Sequence, residues 1–347
     1  MISRLMMVLV CIIFSGIQLL SQETDTTALE KPWSINLSLG TDISQLLQIN
    51  PKVGAGENRF GIGWVINTNA DYKKERLAWD TDLIWNFSIQ RLGEGLLVGS
   101  EESVPFQKSI DEIRLKSKLG YKFKKESKFF YALDFSFLSQ ITRTYDGNYL
   151  KDIKNPEVDD HPISRFLSPA QTTFSIGIDY KPNKKFSFFL SPLGYKSIMV
   201  LDDEIANDVV TNNQGIITGS VHGNPVTLSE DKTTLLGFKN IRHEMGALFR
   251  AIYQNKFKKG KIKLKSGLVM YSNYLDTPSR VDYEWTTETN IQILNGLNLS
   301  LLTILFYDYD VFAYRSNSNL EDGVNQTPER DLISFTQQLV IKYNVSF

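Results

Sequence analysis

The chain of 347 residues contains a single cysteine, Cys11, and almost no net charge. One cysteine excludes a disulfide-stapled scaffold, which needs an even set of them. A balance of 38 Lys and Arg against 39 Asp and Glu lacks the basic excess that nucleic-acid binding requires, so no nucleic-acid partner is expected. A hydrophobic content of 42% with a formal charge of −1 also excludes intrinsic disorder.

Long apolar runs are absent after the first twenty residues. Arg4 precedes an apolar stretch over 5–20, and the polar sequence Ser21-Gln22-Glu23-Thr24 follows it. Because this stretch is shorter than the roughly 20 residues that a helix needs to span a bilayer, it predicts a cleaved signal peptide over residues 1–21. A membrane anchor is the alternative. We expect residues 22–32 to form a short periplasmic segment before the folded domain.

The rest of the chain shows alternation, with apolar residues at every second position over stretches about twice as long as ordinary strands of roughly 5 to 6 residues. In residues 77–89 the apolar side chains fall on one face and Asp80, Asp82 and Asn86 on the other, whereas a helix would mix the two sets. The same pattern predicts twelve strands. They cover residues 33–41, 60–72, 77–89, 113–123, 129–139, 174–180, 186–192, 245–253, 262–274, 281–291, 297–307 and 333–347.

Charge is sorted between the two faces of these strands. No position on the apolar faces is Asp, Glu, Lys or Arg, while the opposite faces carry sixteen charged residues. A hydrocarbon-facing surface requires this, since a basic residue at the bilayer midplane costs roughly 2 to 4 kcal/mol on a barrel exterior. The sequence therefore predicts an all-β fold over residues 33–347, a transmembrane antiparallel up-and-down β-barrel of about 12 strands in the cell outer membrane. A secreted soluble sandwich or β-helical domain is the alternative.

The connections alternate in length. Long ones over 91–112, 141–173 and 193–244 are expected to be extracellular loops, and the short ones periplasmic turns. The connection over 272–280 is the exception, because it is short where an outer loop is expected. An even strand number places both termini in the periplasm.

The final strand also carries a candidate assembly signal. Tyr343, Val345 and Phe347 continue its apolar face to the end of the sequence. This resembles the C-terminal strand that barrel assembly machinery reads in outer-membrane proteins. We expect that machinery, the lipid bilayer and lipopolysaccharide as partners.

Several segments carry a family resemblance. They are Val53-Gly54-Ala55-Gly56-Glu57-Asn58, Phe166-Leu167-Ser168-Pro169-Ala170, Gly177-Ile178-Asp179-Tyr180-Lys181-Pro182-Asn183, Leu190-Ser191-Pro192 and Ser272-Asn273-Tyr274-Leu275. From about residue 33 to 347 the chain resembles a family of Bacteroidota outer-membrane proteins known only as a domain of unknown function, number three thousand and seventy-eight. The resemblance implies a porin-superfamily barrel and no activity, so it carries over no functional residue. The stretch 201–239 departs from the family by its length.

The inward-facing charges form the candidate functional set. Acidic and basic residues are expected to face each other across adjacent strands, either filling a self-neutralised interior or lining a narrow polar pore that selects solutes or ions. The candidates lining this lumen are Asp80, Asp82, Arg114, Lys116, Lys118, Asp134, Arg250, Lys263, Lys265, Glu284 and Glu288.

Catalysis has little support in the sequence. The three histidines, His161, His222 and His243, lie in loops or at a strand edge without a nucleophile elbow nearby. No enzyme, cofactor or metal site is predicted, although the acidic clusters at 159–161 and 202–204 are an alternative for divalent cations. Three functions stay open: a narrow channel for small polar solutes or ions, a non-conducting scaffold that contacts an envelope complex through the loop 193–244, and, least favoured, a surface enzyme.

Overall fold

The computed structural model describes residues 32–49, 59–90, 107–145, 161–212, 214–309, 311, 313, 315 and 331–346. The predicted signal peptide and Phe347 lie outside these residues. Residues Trp33–Phe347 form one compact unit. In the part of the chain that the structure describes, no helix has both the length and the hydropathy to cross a membrane.

Twelve long strands close into an antiparallel barrel, which confirms the predicted fold class, and each of them overlaps one of the twelve predicted strands. In chain order the barrel strands are β1 Trp33–Ile49, β2 Arg59–Lys74, β3 Leu77–Gln90, β4 Gln107–Lys122, β5 Phe129–Ser139, β6 Ala170–Tyr180 and β7 Phe186–Met199, then β12 Ile241–Phe257, β13 Ile262–Asn273, β14 Val281–Gln292, β15 Leu297–Tyr307 and β16 Ser334–Ser346. Neighbours in sequence are neighbours in the barrel, β7 pairs with β12, and β16 pairs with β1.

The connection between β7 and β12 has secondary structure of its own. It contains the helix α1 Asp203–Ala206 and four short strands, β8 Val209–Thr211, β9 Ile217–Ser220, β10 Val226–Leu228 and β11 Leu235–Phe238. These strands form two two-stranded sheets, β8 with β9 and β10 with β11. Val200, Ile205 and Ala206 are fully buried in this connection, with Phe238 packed against them. The long loop is therefore a small folded element.

Side chains alternate between the two faces of the barrel wall as the sequence predicts. On β5, Phe129, Tyr131 and Leu133 are exposed, while Ala132 and Asp134 between them are buried. Because successive side chains of a strand point to opposite faces, the exposed apolar set lies on the outer surface and the buried set faces the interior.

The two ends of the barrel differ. One end, called here the short-turn rim, joins β2 to β3, β4 to β5, β6 to β7, β12 to β13 and β14 to β15 through turns of two to six residues. Aromatic rings pack against one another on the outer face beside this rim, for example Trp33 with Tyr72 and Phe129 with Tyr180. The opposite end, the long-loop rim, carries the longer connections, with the short loop 274–280 among them.

The predicted end of β7 was wrong. The sequence prediction ended this strand at residue 192 and assigned 193–244 to a loop, whereas the strand continues to Met199. The ladder between β6 and β7 slips between Ile176 and Ile178, opposite Ser191 and Pro192. A bulge inserts an extra residue, so the apolar alternation changes phase at this point: Leu190 and Leu193 are both exposed on the outer face. The loop consequently spans 200–240, and seven residues assigned to it belong to β7.

Gly177 lies at the bulge in this ladder. A Cβ atom on Gly177 would overlap the carbonyl oxygen of Leu190. The backbone of β7 therefore approaches β6 here more closely than any other residue type permits.

Candidate functional site

The predicted lumen residues lie on neighbouring strands at matching heights. In the strand register Asp80 is opposite Lys118, Asp82 is opposite Lys116, and Lys265 is opposite Glu288. These pairs agree with the expected acid–base ladders. Most of the ion pairs, however, form elsewhere, because inward side chains converge towards the barrel axis and long ones reach past the adjacent strand.

Two short ion pairs in the interior bridge non-adjacent strands. The guanidinium of Arg250 on β12 donates a 2.7 Å hydrogen bond to the carboxylate of Asp134 on β5, across the inner faces of β6 and β7. The ammonium of Lys118 on β4 lies 2.7 Å from the carboxylate of Asp179 on β6. All four side chains are largely buried. We call these four residues the charge clamp; it fills one side of the interior with compensated charge.

Apolar side chains pack around the charge clamp. Ala132, Phe189, Leu248 and Tyr271 form a buried cluster on the inner surface, and the Lys118 ammonium lies 5.1 Å from the centre of the Phe189 ring. Among the described residues, several buried polar atoms here have no protein hydrogen-bond partner: Asp134 Oδ1, Arg250 Nε, Ser175 Oγ and Tyr271 Oη. Buried polar groups of this kind bind water in folded proteins.

A second charged cluster lies near the long-loop rim. The ammonium of Lys196 on β7 is 3.2 Å from Glu244, 3.8 Å from Asp282 and 3.8 Å from Asp308, and the guanidinium of Arg242 is 2.7 Å from Glu244. This cluster is absent from the predicted lumen residues, because the predicted loop 193–244 included Lys196 and Glu244. The signal was present in the sequence, since Leu193, Tyr195, Lys196 and Ser197 resume the alternation in the opposite phase.

Charged side chains on β13, β14 and β16 are more exposed to water than those of the charge clamp. Glu288 on β14 accepts a 3.3 Å hydrogen bond from Ser300 and lies 3.7 Å from the ammonium of Lys342 on β16, yet its side chain is 35% exposed. Lys263 and Lys265 on β13 are exposed. Two of the charges in this region, Arg114 on β4 and Glu284 on β14, interact electrostatically although their strands are diametrically opposite in the twelve-stranded ring.

The other predicted residues complete this interior. Asp82 accepts a hydrogen bond from the side-chain amide of Asn69, and Asp80 lies 3.8 Å from the ammonium of Lys181. Lys116 is opposite Asp82 and Ser136 in the strand register and lies two residues from Lys118, so it points into the same interior. All eleven predicted lumen residues thus lie on inward positions of the strands, and the closest pair among them, Asp134 with Arg250, joins strands that are not adjacent.

The predicted assembly signal on β16 and the acidic loop cluster at 202–204 lie outside the barrel interior. The Tyr343 side chain is exposed on the outer face of β16, Val345 pairs with Leu39 of β1, and Phe347 lies outside the described residues. Asp202 accepts the backbone N–H of Glu204 at the start of α1 and pairs with Arg165 at 2.5 Å, so this acidic cluster is used in loop packing. In the portion of the chain that the structure describes, no group of three or more His, Cys, Asp or Glu side chains is arranged to hold a metal ion.

Two histidines form contacts between the long loop and the connection that joins β5 to β6. His161 Nδ1 lies 3.2 Å from the carboxylate of Glu204, and His222 Nε2 donates a 2.9 Å hydrogen bond to the carbonyl oxygen of Ile163. Burial lowers the pKa of His222, and burial raises the pKa of Asp208, whose carboxylate lies 3.8 Å from His161. His222 is therefore held neutral in the folded loop.

Acidification is expected to loosen this loop. The folded loop binds a proton at His222 less tightly than the unfolded loop does, so its stability falls as the pH drops through the ordinary histidine pKa of about 6.5. The raised pKa of Asp208 acts in the opposite sense but at lower pH. Hydrogen exchange of residues 161–165 and 205–224, corrected for intrinsic rates, should be faster at pH 5.5 than at pH 7.5. His222→Gln keeps a donor for Ile163 and should abolish the difference; an unchanged difference would contradict the assignment.

A family model described as "Protein of unknown function (DUF3078)" matches residues 48–145, which confirms over that span the resemblance seen in the sequence. A search of curated protein sequences finds no match.

Three solved structures illustrate the structural likeness. The chain is similar to the COG4313 outer membrane channel of Pseudomonas putida F1, with 10% identity, a TM-score of 0.37 and coverage of 92% of this chain and 100% of the other. It is similar to the translocator domain of the autotransporter NalP of Neisseria meningitidis, with 9% identity, a TM-score of 0.37 and coverage of 92% and 90%. It is also similar to the NanC porin, with 6% identity, a TM-score of 0.34 and coverage of 87% and 98%.

Proposed function

We propose that this protein is an outer-membrane barrel that conducts small polar solutes or ions through a narrow passage beside the charge clamp. The observation that carries the proposal is the asymmetry of the interior. Charged side chains on β4, β14 and β16 keep 23 to 35% of their surface exposed at Arg114, Lys342 and Glu288, whereas Asp134 and Asp179 are almost completely buried. A filled barrel would bury both sets alike.

The chemistry of the wall suits small hydrophilic solutes. Charges of both signs line the passage, and each large inward apolar group of the buried cluster lies on the clamp side. A twelve-stranded barrel falls between the eight-stranded size that side chains roughly fill and the sixteen-stranded size that leaves a wide channel. With the clamp occupying one side, the solutes that fit are small ions and small polar molecules, and no catalytic role is assigned to the wall.

We further propose a membrane orientation. The short-turn rim would face the periplasm and the long-loop rim the cell exterior, where lipopolysaccharide surrounds the loops; Tyr343, Val345 and Phe347 would engage barrel assembly machinery. This arrangement follows the usual asymmetry of short turns and long loops in outer-membrane barrels. The resemblance in sequence favours a Bacteroidota source.

Single-channel recording tests the proposal. The detergent-purified barrel in a planar bilayer should give steady conductance, and the reversal potential in a salt gradient should report its selectivity. Lys263→Gln with Lys265→Gln should shift the permeability ratio towards cations by about twofold, and Glu288→Gln should shift it towards anions, because wall charges set the local ion concentration. Lys232→Gln, on the exposed long loop, is the matched control and should change nothing.

The alternative is a non-conducting scaffold. The observation in its favour is the folded long loop, which leaves Leu201 and Leu236 largely exposed next to its buried core. A well-folded barrel that gives no conductance in either wild type or the clamp variants described below would contradict the channel. Loss of a co-purifying envelope protein on Leu236→Ser would then support the scaffold.

A further inference from the structure

The short-turn rim concentrates positive charge. Its turns, together with the strand residues Lys73, Lys74 and Lys256 beside them, carry thirteen lysines and arginines, and the acidic residues of the turns themselves are Glu75 and Glu126. The whole chain, by contrast, is nearly neutral. We call the following thirteen residues the basic rim: Lys73, Lys74, Arg76, Lys124, Lys125, Lys128, Lys181, Lys184, Lys185, Lys256, Lys258, Lys259 and Lys261.

The charges of the basic rim are mostly uncompensated. Arg76 donates to the backbone carbonyls of Lys122 and Phe123, and Lys181 pairs with Asp80 and Asp179. The other eleven side chains are exposed, and none of them forms a salt bridge within the part of the chain that the structure describes. Like charges on neighbouring turns repel one another over about 10 Å at 0.1 M salt, so this rim favours an anionic partner.

Apolar side chains are interleaved with these charges. Phe257 lies between two lysines of the rim and is 43% exposed, and Ile293 and Leu294 in the turn between β14 and β15 are exposed as well. The Arg76 guanidinium lies 4.4 Å from the centre of the outward-facing Tyr121 ring. Basic residues mixed with exposed apolar and aromatic ones are the pattern of a surface that lies at a membrane interface, with the charges at the level of the phosphates.

We propose that the basic rim binds the phosphate groups of anionic phospholipids in the bilayer leaflet that surrounds the short turns. A polyanionic glycan would neutralise the lysines but would leave the side chains of Phe257, Ile293 and Leu294 in water. A phospholipid leaflet can bind both sets of side chains, because its phosphates contact the lysines and its acyl chains contact the apolar side chains. The inference rests on the barrel spanning a membrane, as proposed above, and is independent of whether the barrel conducts.

Lipid selectivity tests this inference directly. The barrel is reconstituted in phosphatidylcholine vesicles, and spin-labelled phosphatidylglycerol is compared with spin-labelled phosphatidylcholine in the motionally restricted shell around the protein. We expect phosphatidylglycerol to be preferred by about threefold at low salt, and the preference to fall in roughly 0.5 M NaCl. Lys124→Gln with Lys125→Gln should reduce it about twofold, and adding Lys184→Gln with Lys185→Gln should reduce it further.

The control is the pair Lys232→Gln and Lys239→Gln, two exposed lysines of the long loop. This pair should keep the full preference, and every variant should retain the heat-modifiable migration of a folded barrel. Equal association of both lipids, or an equal loss in the control pair, would overturn the proposal. Competition by millimolar inorganic phosphate would overturn it in favour of a free-phosphate site, and lysine-dependent sedimentation with peptidoglycan in place of lipid selectivity would overturn it in favour of the cell wall. Because the readout needs no conductance, a failed channel experiment does not decide it.

Discussion

Leu301→Arg is expected to remove most of the folded protein from the membrane, whereas Leu302→Arg should leave it largely intact. The two leucines are adjacent on β15 and identical in type, but Leu301 is exposed on the outer face, and Leu302 lies opposite Glu288 on the inner face. An arginine at the middle of the lipid-facing surface costs roughly 2 to 4 kcal/mol. At position 302 the same arginine meets the Glu288 carboxylate.

The measurement is the heat-modifiable, protease-resistant fraction in outer-membrane preparations, with total expression as the reference. Phe135→Arg and Ser136→Arg repeat the comparison on β5, on the other side of the barrel. Ser136 pairs with Lys116 in the register, so Ser136→Arg should cost more than Leu302→Arg and less than Phe135→Arg. Equal losses for Leu301→Arg and Leu302→Arg would show that the two faces are wrongly assigned.

Arg250→Met is expected to destabilise the barrel by about 3 kcal/mol, because it leaves the buried carboxylate of Asp134 with weaker compensation. The Arg250 guanidinium is Asp134's short-range partner at 2.7 Å, while Lys118 interacts with it only at longer range. Asp134→Asn combined with Arg250→Met removes both charges and should recover much of the loss. Urea-induced unfolding in lipid vesicles of the wild type, the two single variants Arg250→Met and Asp134→Asn, and the double variant gives four free energies of unfolding and hence the coupling energy of the pair.

The same double variant has a second readout. Removing the Asp134–Arg250 ion pair takes two charged side chains out of the interior, so single-channel conductance should increase. Strictly additive unfolding energies would show that the two side chains do not stabilise each other, and an unchanged conductance would show that the charge clamp does not narrow the passage. Ser38→Ala, on β1 and outside the clamp, serves as a reference for small changes to the wall.

The barrel could be predicted from the sequence because its main constraint is a period of two. The residues Phe129, Tyr131 and Leu133 must face hydrocarbon and Asp134 must not, and this requirement is visible without any knowledge of pairing. Strand ends were less well predicted, as β1 continues to Ile49 and β4 begins at Gln107. Backbone pairing continues past the apolar band, where polar side chains no longer carry the alternation.

The interior was less predictable than the wall. The sequence shows which charges point inward, but Lys118 can reach Asp80, Asp134 or Asp179, and the choice of Asp179 depends on the concave geometry of the inner surface. The cluster around Lys196 was hidden by one bulge residue, which reverses the phase of the pattern at Pro192. Pairing between strands distant in sequence and local irregularities are the two kinds of information that a periodic pattern does not contain.

The pairing of β1 with β16 has a consequence for how the chain acquires its fold. Ser38 pairs with Ser346 and Ile49 with Phe335, so the barrel closes only when its first and last strands meet across nearly the whole sequence. The loop-closure entropy of this step is the largest in the molecule, although it grows only with the logarithm of length. Until it happens, β1 and β16 each present a row of unpaired N–H and C=O groups, which hydrocarbon cannot solvate. Eleven of the twelve ladders would leave two unpaired strand edges in hydrocarbon, so membrane insertion and barrel closure are expected to occur as one cooperative event.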